Sequence, residues 1–268
     1  MPALGLGTFH LFGDRCKSVV REAIDLGYRH FDTAQTYGNE AEIGDAISES
    51  GLDRSEFFVA TKLWFWNYRR ADAIASAEDS VRKLGGKEGY IDLLLMHWPS
   101  PDRAVPLRET LDAMADVQRS GRVRFIGVCN FNSAYLREAV EDCAADLLCN
   151  QVEFHPLLRQ DALRRQLKKY DMMLTAFSPL ADGTLVTHER LISLAERHDK
   201  TPSQIVLRWL LSMPAVAAIP KAASSRHLKE NISIFDFELS DAECKSIADL
   251  ARGVRLVNPC YAAPWDRD

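Results

Sequence analysis

"HFDTAQTYGNEAEIGDAISESG" (residues 30–51) holds one complete strand-to-helix unit. Its first five residues form a short apolar run without strict alternation, as in a strand buried on both faces. A carboxylate, Asp32, stands at the strand's exit, and Tyr37 follows in a turn marked by Gly38-Asn39. Asn39 then reads as a helix N-cap, with acids in the first turn and Gly51 as the stop.

The same unit recurs along the chain. Further runs lie at 3–8, 57–63, 91–97, 124–130, 147–154, 173–180 and 215–221. Helical patterns separate them at 16–27, 70–86, 106–120, 133–144 and 161–169. The first of these carries Val19, Val20, Ala23, Ile24 and Leu26 at helical spacing and stops at Gly27. After the seventh run come two helical patterns, "HERLISLAERH" and "TPSQIVLRWLLSM". Thr201 reads as the cap of the second, and Pro202 as its first helical residue. "SSRHLKENISIF" follows the eighth run, then an extra helix at 240–252 and a tail. Strand and helix alternating eight times predict an α/β fold, a (β/α)8 TIM barrel. No linker breaks it, so residues 1–268 read as one domain. A doubly wound sheet would want G-x-G-x-x-G before a helix. "GLGTF" lacks the third glycine and runs into "HLFGD".

Bulk properties narrow the function. The 268 residues are 47% hydrophobic, ample for a core, and the net charge of −5 argues against binding a nucleic-acid backbone. Six cysteines form no C-x-x-C pair and no zinc pattern, as in reduced thiols of a cytoplasmic protein. No apolar segment approaches membrane-spanning length, and the first residues do not resemble a signal peptide. The scattered His10, His30, His155, His188 and His198 suggest structural or surface roles and no metal site.

In such barrels, function gathers at the C-terminal strand ends. The exits here are Thr8, Asp32, Lys62, His97, Asn130, Gln151, Ser178 and Lys221, all polar. One polar exit means little; eight on one rim point to a site. A phenol such as Tyr37 ordinarily titrates near ~10, too high for easy proton exchange at neutral pH. A Lys62 ammonium nearby would lower that value, Asp32 would keep Lys62 charged, and His97 would orient a carbonyl oxygen toward Tyr37. The set makes a proton donor beside a carbonyl. No activated Ser or Cys and no metal cluster supplies the partner step, and a nicotinamide hydride would complete it. Two rivals are a Schiff-base lyase through Lys62 and a redox-sensing NADP(H)-binding subunit with little turnover. A Schiff-base lysine must be neutral, which Asp32 opposes.

The segments "GLGT", "DTAQTYGNE", "TKLW", "LLLMHWP", "GVCNF", "NQVEFHP", "FSPL" and "IPKAASSRHLKEN" together resemble the aldo-keto reductases, from Leu4 to Asp266. With the "VNP…PWD" tail, the chain looks most like the bacterial branch related to 2,5-diketogluconate reductases. The resemblance implies a catalytic tetrad of Asp32, Tyr37, Lys62 and His97, with Tyr37 as proton donor to an aldehyde or ketone. It implies NADPH across the barrel mouth: Thr8 and Asp32 near the nicotinamide ribose, Asn130 and Gln151 on the carboxamide, Phe177 stacked on the ring. Ser178 and Leu180 would line the pyrophosphate, Lys221 and Ser224 would meet the 2′-phosphate, and Glu230 and Asn231 the adenine. Phe9, Trp64 and Trp98, with Tyr37 and His97, match the family's substrate pocket. A monomer is the family expectation.

Three cofactor positions depart from that pattern. Cys129 stands where Ser is usual, Phe177 where Tyr is common, and His227 where an Arg usually clamps the 2′-phosphate. Neutral imidazole cannot reproduce a bidentate guanidinium, so weaker discrimination against NADH is expected. The family usually has a short hairpin before "GLGT", whereas only Met1-Pro2-Ala3 precede Leu4 here. "FWNYRR", with Trp66, Tyr68, Arg69 and Arg70, reads first as a solvated helix start and second as a lip for acidic substrates. Phe131 reads as core, and Trp265 as a residue that closes over the pocket.

Overall fold

Leu4, Gly5 and Gly7 meet the eighth strand and close the cylinder: Gly5 N–H donates to Ala218 O at 2.9 Å, and Gly7 N–H to Pro220 O at 3.1 Å. The computed structural model describes residues 1–86 and 89–266. Its eight parallel strands run in sequence order around a single sheet. They are β1 (Leu6–Gly7), β2 (His30–Asp32), β3 (Phe58–Leu63), β4 (Ile91–Met96), β5 (Val123–Cys129), β6 (Cys149–Glu153), β7 (Met173–Phe177) and β8 (Val216–Ala218). With helices alternating between them, this is the (β/α)8 barrel that the repeated unit predicts. β1, β2 and β8 are the short members, and the approach of β1 to the β8 exit is close: a Cβ on Gly7 would sit 2.7 Å from Ile219 O. Only glycine fits there.

The outer ring comprises α1 (Gly13–Asp25), α2 (Glu40–Ser48), α3 (Arg70–Leu84), α4 (Leu107–Arg119), α5 (Ser133–Arg137), α6 (Asp161–Lys169), α7 (Glu189–His198), α8 (Pro202–Leu211) and α9 (Ser225–Ile232). The extra helix is α10 (Asp241–Ala248). α1 buries Cys16, Val19, Val20, Ala23 and Ile24 against the strands. Each buried valine or isoleucine stabilises the packed state by ~1.5–3 kcal/mol over its exposed form. Gly27 sits past the helix end at φ 97°, where L side chains are strained, and Tyr28 N–H reaches back to Ala23 O at 2.9 Å. α8 begins with a full capping box between Thr201 and Gln204, and Pro202 is its first residue.

Three local expectations need correction. Asn39 holds the N-cap position of α2, but its side chain makes no cap bond: its amide donates to Thr8 O (3.0 Å) and Leu11 O (2.8 Å) and accepts from Thr33 Oγ1 (2.6 Å), tying the β1 and β2 exits together. Residues 133–144 do not form one α-helix. α5 stops at Arg137 and a wider π turn runs over Glu138–Asp142. α10 ends at Ala248, so the tail begins earlier than residue 252.

Inside the barrel, the end away from the strand exits is apolar. Phe58, Ala60, Leu93, Leu95 and Cys149 pack there with Met1, Leu148 and Met173. Met1 therefore occupies the floor. His30, also buried, turns its ring to Pro2 O at 3.1 Å, and burial lowers its pKa to about 4. Near the same end, buried Asp92 receives Arg54 (2.8 Å), Arg124 (2.8 Å) and Val59 N–H (3.0 Å). Among the described residues no helix is long and apolar enough to cross a membrane.

Candidate functional site

β2 delivers Asp32 and β3 delivers Lys62 into the barrel interior, where both are almost fully buried. Lys62 Nζ donates to Asp32 Oδ1 and, at 2.7 Å, to Thr33 O. The other carboxylate oxygen, Oδ2, accepts from Gln151 Nε2 at 2.7 Å. Two dry opposite charges persist only when bonded in this way. Burial is the largest influence and lowers the Lys62 pKa, but the Asp32 charge and hydrogen bond, with contributions from Tyr37 and Cys129, together outweigh it and hold the ammonium above the usual lysine range.

Tyr37 sits above the pair, on a one-turn 3-10 helix over Gln35–Tyr37 that Gly38 closes at φ 65°. Lys62 Nζ lies 5.3 Å from its ring centroid. The net direction of its titration differs from the sequence expectation. Burial pushes the phenol up to about 12; Lys62 pulls it down as expected, while Asp32 pushes it up again. The phenol is thus protonated at neutral pH. His97 follows β4, with its ring 5.8 Å from Tyr37 and 5.1 Å from Trp64. Burial and then the Lys62 charge hold its pKa well below the usual histidine value, so the imidazole is neutral. Its Nδ1 is buried without a hydrogen-bond partner.

These groups open into a cleft of about 1110 Å³ across the strand exits. Thr8, Asp32, Tyr37, His97, Cys129, Asn130, Gln151, Phe177, Ser178, Leu180, Lys221, His227, Glu230 and Asn231 line it, and so do Phe9, Trp64 and Trp98. Lys62 lies beneath, behind Asp32. Ser224 does not line it: its hydroxyl caps α9 by accepting from His227 N–H at 3.3 Å. Asn130 and Ser178 adopt left-handed backbones, φ 62° and 43°. Asn130 Nδ2 donates to His97 O at 3.0 Å, leaving Oδ1 buried and without a partner. Orphaned polar atoms of this kind in a cleft wall suit a polar ligand group.

Several residues enter the cleft that the sequence reading passed over: His10, Asp182, Val186, Ser203 and the tail stretch Leu256–Pro259 with Tyr261. His10 is exposed, as the surface reading expects, and it also lies on the cleft rim, its ring tilted at 42° to Phe9 with centroids 3.8 Å apart. The tail aromatic in the wall is Tyr261, not Trp265. Tyr261 packs edge-on against Trp64 (5.7 Å) and Trp98 (5.4 Å). Trp265 stands behind, 6.0 Å from Trp98, under the Arg255 guanidinium, with Nε1 donating to Asn258. Its prolines, Pro259 and Pro264, were the available signal for a stiff, docked tail. In "FWNYRR", Trp66 is exposed, Tyr68 is buried with its hydroxyl on Trp98 O (2.6 Å), and Arg69 and Arg70 pair with Glu109 and Asp116 of α4. Arg69 and Arg70, both more than half exposed, fit the solvated helix start, while Tyr68 belongs to the core. Phe131 is core.

Comparison with known proteins agrees with this fold. The chain is 36% identical over 268 residues to the methylglyoxal reductase DkgB of Escherichia coli O157:H7, covering 99% of each. A crystal structure of a proposed 2,5-diketo-D-gluconic acid reductase B superposes with a TM-score of 0.95 at 42% identity, covering 100% of this chain and 94% of that one. A point mutant of Gox0644, solved in complex with NADPH, gives 0.89 at 34% identity, with coverage of 96% and 93%. The sequence model of the Aldo/keto reductase family matches residues 3–252, and the chain belongs to that family.

Proposed function

We propose that this protein reduces aldehydes and ketones to alcohols with NADPH, Tyr37 supplying the proton. The observation that carries the proposal is a protonated phenol in the cleft above a buried, carboxylate-held ammonium. The cofactor, when bound, supplies the hydride. Asn130 Oδ1, buried and unpartnered, would accept from its carboxamide, and Gln151 would offer Oε1, since its Nε2 is committed to Asp32. Phe177 would carry the nicotinamide ring, and Lys221 with the start of α9 would face the phosphate of the adenosine half.

The side chains then divide the work. His97, neutral, orients the carbonyl oxygen next to Tyr37. As charge grows on that oxygen, the Tyr37 O–H proton moves to it. Lys62 stabilises the phenolate left behind, because the ammonium is pre-placed in a dry site and needs no reorganisation. Asp32 keeps Lys62 charged and fixed, and that also weighs against a Schiff-base amine.

The substrate end is lined by Phe9, Tyr37, Trp64, Trp98 and Tyr261. The nearby Arg69 and Arg70 pair with Glu109 and Asp116 of α4 and do not line the cleft. An uncharged carbonyl compound therefore fits better than a carboxylated one, in keeping with the methylglyoxal reductase relative. NADPH oxidation assayed with methylglyoxal, benzaldehyde and glyoxylate tests this. The two neutral aldehydes should have the higher kcat/KM; absence of turnover with every carbonyl would favour the redox-sensing alternative. Cofactor preference has its own test. His227→Arg should raise the NADPH-over-NADH ratio of kcat/KM about tenfold, because guanidinium adds a charged bidentate contact. An unchanged ratio would show that His227 does not face the phosphate.

A further inference from the structure

β6 ends in Glu153, a carboxylate that is 0% exposed and has no part in the proton transfer. Its oxygens receive backbone amides from the far end of the chain. Leu256 N–H donates to Oε1 at 2.7 Å and Val257 N–H to Oε2 at 2.9 Å, and His155 Nε2 lies 2.9 Å from Oε1. Just before these, Arg252 N–H and Val254 N–H both donate to Leu157 O, at 3.2 and 3.1 Å. A second anchorage holds the end of the tail at the start of α5. Asn132 Nδ2 donates to Pro264 O at 2.7 Å, and Ser133 N–H and Oγ donate to Asp266 Oδ2 at 2.9 and 2.7 Å.

The stretch between the two anchorages is the part that reaches the cleft, through Val257, Asn258, Pro259 and Tyr261. No helix or strand supports it. Its position depends on these bonds together with the ring contacts of Tyr261 and Trp265. A carboxylate suits the inner anchorage because both oxygens only accept, so two amides and a ring N–H are received at once. Glutamine would present one acceptor and one donor to the same amides.

We propose that Glu153 is a positioning residue for substrate: it latches the tail so that Tyr261 completes the aromatic wall with Trp64 and Trp98. The role rests on carbonyl reduction at this site, and the experiment separates the two. Glu153→Gln and Asp266→Ala are compared with the unmodified protein for kcat, KM for benzaldehyde, NADPH affinity, and hydrogen exchange at the Leu256 and Val257 amides. In Glu153→Gln the two amides should exchange faster and KM should rise about tenfold with kcat within about threefold, the pattern of lost uniform binding. NADPH affinity should hold within about twofold, since a merely misfolded barrel would lose both ligands. Released amides with unchanged KM, or amides that stay protected, would overturn the latch. Asp266→Ala, at the tail's edge, covers the case in which Glu153→Gln does not fold. There KM should rise about threefold, and an unchanged KM would overturn the proposal. If the unmodified protein reduces no carbonyl, the proposed activity fails, and amide exchange alone then decides whether Glu153 holds the tail.

Discussion

Replacing Tyr37 by Phe is expected to lower kcat for carbonyl reduction by about 10³-fold, the middle of the range for a lost general acid. The ring remains, so its contact with Phe9 at 4.9 Å and the cleft's shape should survive. NADPH affinity, read by fluorescence titration, should change by less than about twofold, because only the hydroxyl is removed. A variant that keeps more than a tenth of the activity would remove Tyr37 from the proton path. The pH profile gives a second check. The phenol's pKa is raised to about 12, so it stays protonated through neutral and mildly alkaline pH. No alkaline loss of reductive rate from this group is expected there. The sign for stability agrees: a raised folded-state pKa contributes stability that is present below the ordinary phenol pKa and lost as pH climbs toward the folded value.

The second large effect belongs to Asp32. Asp32→Ala leaves the Lys62 ammonium buried with only neutral partners, Thr33 O and Tyr37. Breaking one side of a buried pair typically costs ~3–5 kcal/mol, and a loss of that size should appear in urea denaturation. Without the carboxylate, burial drives Lys62 toward its neutral form, and reduction should fall by at least about 10²-fold. The double variant Asp32→Ala/Lys62→Met separates stability from chemistry. It should regain most of the lost stability, since it no longer buries a lone charge, yet remain inactive. Recovery of activity in the double variant would show that the ammonium plays no part in proton transfer. The raised pKa of Lys62 fixes the pH window. Its contribution is complete below the ordinary lysine value and disappears only as pH rises through the elevated one.

Much of this site was legible in the sequence because parallel strands write plainly. Runs such as "FFVATKL" and "IDLLLMH" are apolar on both faces, so the one titratable residue near the exit, Lys62 or His97, stands out. Eight such exits converge by topology alone, and the cleft contains or covers nearly all of them. Ser224 missed the cleft because a serine before a helix has a competing use as a cap. Asn39 takes its N-cap position, but its side chain has a competing use too: the amide braces two loops instead of bonding the helix start. The balance at Tyr37 was not legible, since Lys62, Asp32 and burial act in different directions and only packing sets their sizes. The tail was hidden more deeply. It is held through backbone amides to Glu153 and Leu157, and main-chain donors leave no mark on side-chain pattern.

The junction between β1 and β8 has one more consequence. Those strands have two and three residues, and few hydrogen bonds stitch the cylinder there. Thr8 leaves one lip of that seam and Lys221 the other, and both face the cleft. A dinucleotide touching both lips would act as a rivet. Occupancy and the integrity of the whole cylinder are then linked by mass action, each tenfold excess of ligand over its Kd adding about 1.4 kcal/mol to the closed state.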